Sequence, residues 1–143
     1  MTATTFSSND RTGGFDLAAA HWLPRLAVAA VFIYQGVTKF PGLVETAGFV
    51  GLPVAIWALV AIGETAAGLG LIFGGIVKTR LGDLVTRASG VVIAVIMVGA
   101  IGLVHWGQWS NIPSESHPMG GSEFQMLLLA LGLYYLARGR HAA

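Results

Sequence analysis

The chain has 143 residues, of which 55% are hydrophobic and 10% charged, with a formal net charge of +1 and no cysteine. Soluble domains carry about 25% charged residues, so this deficit, with a mean hydropathy of +0.71, points to a membrane protein. The near-neutral charge without a basic cluster excludes a nucleic-acid partner. The missing cysteines exclude disulfides, thiol catalysis, Cys-ligated zinc, Cys-held iron–sulfur clusters and dithiol relays.

Residues 1–21 open with "MTATTFSSNDRTGGFD" and read as a polar tail. A basic start followed at once by an apolar stretch is missing, so a signal peptide is not expected. Four apolar segments follow, at about 22–40, 54–77, 86–106 and 118–137. A membrane crossing takes about 20 residues, and at these lengths only a helix satisfies its own backbone in lipid. The fourth segment reaches that length only if it starts near Pro118, which draws Glu123 into its first turn. The expected fold is therefore all-α: an integral membrane bundle of four helices, up-down-up-down, forming one domain over 22–140.

Positive charge predicts the orientation. Arg11 and Arg25 stand at the entrance of the first helix, Lys78, Arg80 and Arg87 around the middle loop, and Arg138 and Arg140 at the end. Both termini and the middle loop are expected on the cytoplasmic side, with the loops around 41–53 and 107–121 facing outward. Small residues four apart (Ala66 with Gly70, Gly70 with Gly74, Gly90 with Ala94), followed by Gly99 and Gly102, predict close helix contacts made by the second and third helices.

Ionisable groups inside a membrane are functional suspects. Glu64 lies midway along the second segment, in "AIGETAAGLG", on a face of small residues. It has two readings: a paired or neutral carboxylate that holds two helices together, or part of a proton or quinone site. Gln35 and Lys39, in "YQGVTKF", share a helix face; Lys39 alone also fits a lysine reaching the membrane boundary. His105 ends the third segment beside Trp106 and Trp109, which fit an interfacial aromatic belt. Glu123 suits the first turn of the fourth helix, with Ser122 as its cap. Topology brings Lys39, His105 and Glu123 to one membrane face with Glu64 below them. Histidine as a residue type exchanges protons near neutral pH, so such a cluster could bind a polar head group or pass protons. Glu64 and His105 are thus the candidate catalytic residues, and Lys39, Gln35 and Glu123 the candidate cofactor-binding ones.

No metal site is expected. A transmembrane haem b typically takes two histidines at membrane depth, and only His105 lies near a segment. Nucleotide-binding glycine loops and hydrolase triads are missing. No cofactor is expected through a covalent link or an evident motif, so an electron carrier would be a diffusible quinone or belong to a partner.

The segments "RLAVAAVFIYQGVTKF", "AGFVGLPVAIWALVAIGETAAGLGLIFGG", "KTRLGDLVTRASGVVIAVIMVGAIGLVHW" and "GGSEFQMLLLALGLYYLARGR" together resemble the DoxX-like family of small four-helix membrane proteins. The likeness runs from about Arg25 to Arg140. It follows the family's order: Gly and Lys ending the first helix, Gly-Leu-Pro before the second, Glu within it, His ending the third, Gly-Gly-x-Glu opening the fourth. The resemblance implies a bacterial cytoplasmic (inner) membrane protein, with Lys39, Glu64, His105 and Glu123 at the family's positions. Some relatives look like membrane subunits of quinone-reducing sulfur-oxidising complexes; others are linked with oxidoreductase assemblies handling oxidative stress. Relatives often continue past the last helix, whereas this chain stops at "ARGRHAA".

Three functions follow as expectations. The first is a subunit of a membrane redox complex with a quinone or proton site at the outer face. The second is a non-catalytic assembly or anchoring subunit of a larger membrane complex, and the third a small transporter or channel subunit. The expected partners are the lipid bilayer, other subunits of a membrane complex, and a quinone.

Overall fold

The computed structural model describes residues 20–139. The polar tail up to residue 19, with Arg11, and the terminal Arg140 lie outside the described residues. All regular structure among the described residues is helical: α1 (Trp22–Lys39), α2 (Leu43–Val50), α3 (Val54–Ile76), α4 (Arg80–Ala100) and α5 (Glu123–Arg138). α4 runs on into a π-helical turn, Ile101–His105.

Sequence punctuation accounts for the breaks. Pro41 has no N–H to continue α1, and the chain bends by 105° into α2. This short helix occupies a stretch expected to be an outward loop. It forms because "LVETAGFV" buries Ala47 while the Thr46 hydroxyl accepts the Trp57 indole N–H at 2.8 Å. Gly51, at φ 75°, closes it in the left-handed conformation that favours glycine.

Among the described residues, two helices are long and apolar enough to cross a membrane. They are α3, with 23 residues and mean hydropathy 1.8, and α4 with its π-turn, 26 residues and 2.2. α1 joins them only if it and α2 count as one broken span. α5 has 16 residues, about 24 Å of helix, against a hydrocarbon core of about 30 Å.

Two expected boundaries move. The third segment begins at Arg80 rather than Thr86. Asp83 in its first turn complements the helix dipole and takes the Arg87 Nε–H one turn later, at 2.9 Å. Arg87 also reaches the end of α5, donating from Nη1 to the carbonyls of Leu136 (2.8 Å) and Ala137 (2.9 Å). The fourth helix begins at Glu123, not near Pro118. Residues before it are tied to the preceding loop, with Gly121 N–H on Ser110 O at 2.8 Å and Ser122 N–H on Gln108 O at 3.0 Å. Ser122 holds the N-cap position without a capping bond; its hydroxyl goes to Gln108 O, 3.3 Å away.

α1 packs on α3, α3 on α4, and α4 on α5. The core between them is Val28, Ala29 and Phe32 of α1, Ala67 and Leu71 of α3, Ile93 and Met97 of α4, and Leu128 and Tyr135 of α5. Small residues set the spacing, as expected for Gly70, which faces Ser89, and Gly74, which faces Thr86. α4 crosses α5 at Gly90 and Gly132. A Cβ at Gly90 would stand 2.6 Å from the Gly132 carbonyl oxygen, so the α4–α5 approach requires glycine there. Ala66 is exposed, and a Cβ at Gly99 or Gly102 would meet no other part of the fold within 4 Å.

All four long helices meet at Arg25, which is 0% exposed. Its Nη1 donates to Leu71 O (2.7 Å) and Thr86 Oγ1 (3.3 Å). The guanidinium carbon lies 5.2 Å from the Tyr135 ring centre and 5.9 Å from that of Trp22. No carboxylate among the described residues pairs with it. Nε, Nη2 and the Tyr135 hydroxyl are buried without hydrogen-bond partners.

Candidate functional site

A cavity of about 540 Å³ opens at the other end of these helices. Its wall is mostly apolar, with Phe32, Ile96, Met97 and Leu128 among its lining residues. Four of the polar residues on it form two hydrogen-bonded pairs.

The first pair joins α1 to α3. Lys39 Nζ lies 2.6 Å from Glu64 Oε2, and the two side chains are only 12% and 7% exposed. A second N–H of Lys39 goes to the backbone carbonyl of Gln35 at 3.0 Å, and the ammonium lies 5.1 Å from the centre of the Trp57 ring. Lys39 is the last residue of α1, where a cation suits the carboxyl end of the helix dipole. Its side chain turns inward to Glu64. The Glu64 carboxylate needs such a partner, because an unpaired charge in a dry interior is costly. Glu64 Oε1 has no hydrogen bond to a described residue.

The second pair joins the π-turn to α5. His105 is buried, and its Nδ1 lies 2.8 Å from Gly120 O. A carbonyl only accepts, so Nδ1 carries the proton. In the neutral ring Nε2 is then an acceptor, and it takes an N–H of the Gln125 amide at 2.9 Å. That fixes the amide orientation and leaves Gln125 Oε1 buried without a partner. π-Helical turns widen a helix locally and recur at functional sites; here the turn places His105 on the cavity wall.

The loop from residue 106 to residue 122 holds the Gly120 carbonyl in place. His117 Nε2 donates to Trp106 O at 2.7 Å. Gln108 donates to Ser110 O (2.8 Å) and Ile112 O (2.7 Å) and accepts the Ser114 hydroxyl (2.5 Å). Gly120 itself sits at φ 76°, against Asn111.

Of the five residues singled out from sequence, the structure brings Gln35, Lys39, Glu64 and His105 to one cavity. Gln35 is exposed and contributes its backbone carbonyl to Lys39. Glu123 is exposed at the start of α5 and is not among the lining residues. Its place is taken by Gln125, which sequence reasoning passed over although it is an isolated amide in "FQMLLLALGL". Trp57, which lies beneath Lys39, was also missed. Among the described residues no group of three or more His, Cys, Asp or Glu is placed to hold a metal ion.

No curated protein and no solved structure matches the chain. The sequence pattern that defines the DoxX family matches residues 21–106, more than half of the chain, including Lys39, Glu64 and His105. The chain belongs to the DoxX family of membrane proteins.

Proposed function

We propose that the chain is a multi-pass subunit of a redox complex in the bacterial cytoplasmic membrane, and that its cavity receives the ring of a quinone-class molecule. In this reading the domain of residues 22–140 crosses the bilayer four times. α5 is completed by the residues around it, and both termini are cytoplasmic. Arg25, Lys78, Arg80, Arg87 and Arg138 then gather at the inner side and the cavity opens toward the outer one, in keeping with the positive-inside rule.

One observation carries the proposal: the His105–Gln125 and Lys39–Glu64 pairs share a single, mostly apolar cavity. Its volume lies within the roughly 300–1,000 Å³ of small-molecule sites, which are mostly apolar with a few placed polar groups. A lipid-soluble ring with oxygen atoms matches that lining. Lys39 could donate to a ring oxygen, and His105 and Glu64 could exchange protons with it. The carrier is diffusible, so this chain's own share is to orient the ring and hold protons at defined atoms.

The test is purification of the tagged native complex in mild detergent, with bound quinone and quinol-coupled turnover measured. Glu64→Gln should slow turnover per complex while leaving the yield of complex nearly intact. Finding neither quinone nor coupled activity in the native complex overturns the reading.

A second reading is favoured by the ion pair itself, which ties α1 to α3 at 2.6 Å. The chain would then be an assembly or anchoring subunit, and the pair would serve only to hold its helices. In that case Glu64→Gln lowers the yield of complex and leaves turnover per complex unchanged.

A further inference from the structure

Three apolar residues belong both to the cavity wall and to the outer surface: Ile56 of α3 (47% exposed), Val95 of α4 (66%) and Leu103 of the π-turn (68%). A side chain that lines a cavity while largely exposed marks a mouth. These three set a mouth between α3 and the α4 end.

The glycines show where the two helices part. Along much of their joint α3 lies against α4: a Cβ at Gly74 would strike Thr86, one at Gly70 would strike Ser89, and one at Gly63 would come within 3.3 Å of Ile96. Past Gly63 toward the cavity, the wall of α3 is made by Val60 and Ile56. The wall of α4 there includes Gly99, where a Cβ would meet no other part of the fold within 4 Å. Gly102 has the same free space but does not line the cavity.

Depth and polarity indicate what the mouth opens on. At about 1.5 Å per residue, Val95 and Gly99 lie about 15 and 9 Å from the His105 end of a span of about 39 Å, well inside a hydrocarbon core of about 30 Å. Ile56, Val60, Val95, Gly99 and Leu103 offer no polar side chain. The two polar pairs lie away from them, Lys39–Glu64 reaching to α1 and His105–Gln125 to α5. The cavity is therefore amphipathic along its length, polar on the α1 and α5 sides and apolar at the mouth. An apolar chain leaving this mouth stays in lipid-like surroundings throughout.

We propose that the mouth between α3 and α4 is a lateral window to the bilayer: the ligand is a quinone-class lipid whose ring lies among the polar pairs and whose long apolar tail leaves through this window, with Gly99 as the residue that admits the tail. The proposal rests on the reading of the cavity as a quinone-class site. It adds the shape of the ligand, its route of entry and a residue that sets specificity. The tail occupies the window because ring seat and window are one continuous space.

The experiment uses the full chain in lipid nanodiscs. Two benzoquinones with the same ring, one without a side chain and one bearing a decyl chain, are titrated separately. Binding is followed by quenching of tryptophan emission, since Trp57 lines the cavity, and affinities are referred to the concentration in the membrane. Gly99→Leu fills the window without striking the fold; it should weaken the decyl quinone by about tenfold, the scale of a steric misfit, and leave the tailless ring within about twofold of wild type. Gly102→Leu should change neither. Equal loss of both quinones in Gly99→Leu, or loss of neither, overturns the window.

A second measurement needs no variant. A decyl quinone ending in a diazirine is photolysed on the wild-type chain, with and without excess unlabelled decyl quinone, and the adducts are located by mass spectrometry. Adducts within residues 56–60 and 95–103 that the excess displaces are the expected result. Displaceable adducts confined to α1 or α5, or adducts that the excess does not displace, overturn the window and leave a ring site standing. If the wild type binds neither quinone, the site and the window fall together.

Discussion

The two ends of the helices each bury a cation, and they treat it differently. At one end Lys39 meets a carboxylate at 2.6 Å beside a cavity. At the other, Arg25 is wholly enclosed among four helices, with two neutral oxygens and two aromatic faces for company. Arg25 leaves Nε and Nη2 unused, and it is not among the residues lining the cavity. A charge that fills space with its stem and rests on ring faces is a packing element. A charge paired across two helices at the wall of an open space is placed for a ligand or for a proton. Burial alone therefore does not identify a functional charge; the space next to it does.

Neutralising one charge at each end should separate the two roles most sharply. Glu64→Leu strands the Lys39 ammonium in a dry site. Breaking a buried pair in this way costs about 3–5 kcal/mol, which thermal unfolding in mild detergent should register. Arg25→Met keeps most of the stem and removes a charge that has no counter-ion, so stability should stay within about 1.5 kcal/mol of wild type. A larger loss would mean that the two hydrogen bonds of Arg25 outweigh its desolvation, and the contrast between the ends would fail.

The joint between α4 and α5 has an intermediate effect. Gly90→Ala puts a Cβ 2.6 Å from Gly132 O, and forcing the helices apart should cost about 1–3 kcal/mol. Because α4 leads into the π-turn and α5 carries Gln125, ligand binding should weaken in the same variant. Gly120→Ala acts closer to the cavity: a side chain at φ 76° against Asn111 is strained, by about 1–3 kcal/mol. It displaces the carbonyl that orients His105, and ligand affinity should fall. The smallest effect is expected at Glu123, an exposed carboxylate. Glu123→Gln should change stability by less than about 0.5 kcal/mol and leave ligand affinity unchanged.

The sequence carried the helices and much of the cavity because both rest on strong local signals. A carboxylate amid "AIGETAAGLG" and a lysine ending an apolar run are conspicuous, since charge is scarce in this chain. Boundaries were harder to read. "VKTRLGDLVTR" contains enough charge to look like a loop, yet Asp83 and Arg87 are one turn apart and stabilise the start of α4. Pro118 to Ser122 lies next to an apolar stretch, but its backbone bonds go back to residues 108–117. Glu123 drew notice because it is charged, whereas Gln125, two residues on, reaches His105. An amide is not costly enough in sequence to stand out, and only the π-turn, a feature without a sequence signature, shows what it faces. Arg25 was legible as a marker of orientation; that it sits at the meeting point of four helices depends on long-range packing.

The central claim is that the Lys39 end holds a ligand and the Arg25 end only packs. It is tested most directly by the quinone content of the natively purified complex in three forms: wild type, Glu64→Gln and Arg25→Met. The account predicts bound quinone in the wild type, an equal amount in Arg25→Met, and a roughly tenfold loss in Glu64→Gln, the scale of one charge-assisted hydrogen bond. No quinone in the wild type, or an equal loss in both variants when both complexes assemble, would contradict it.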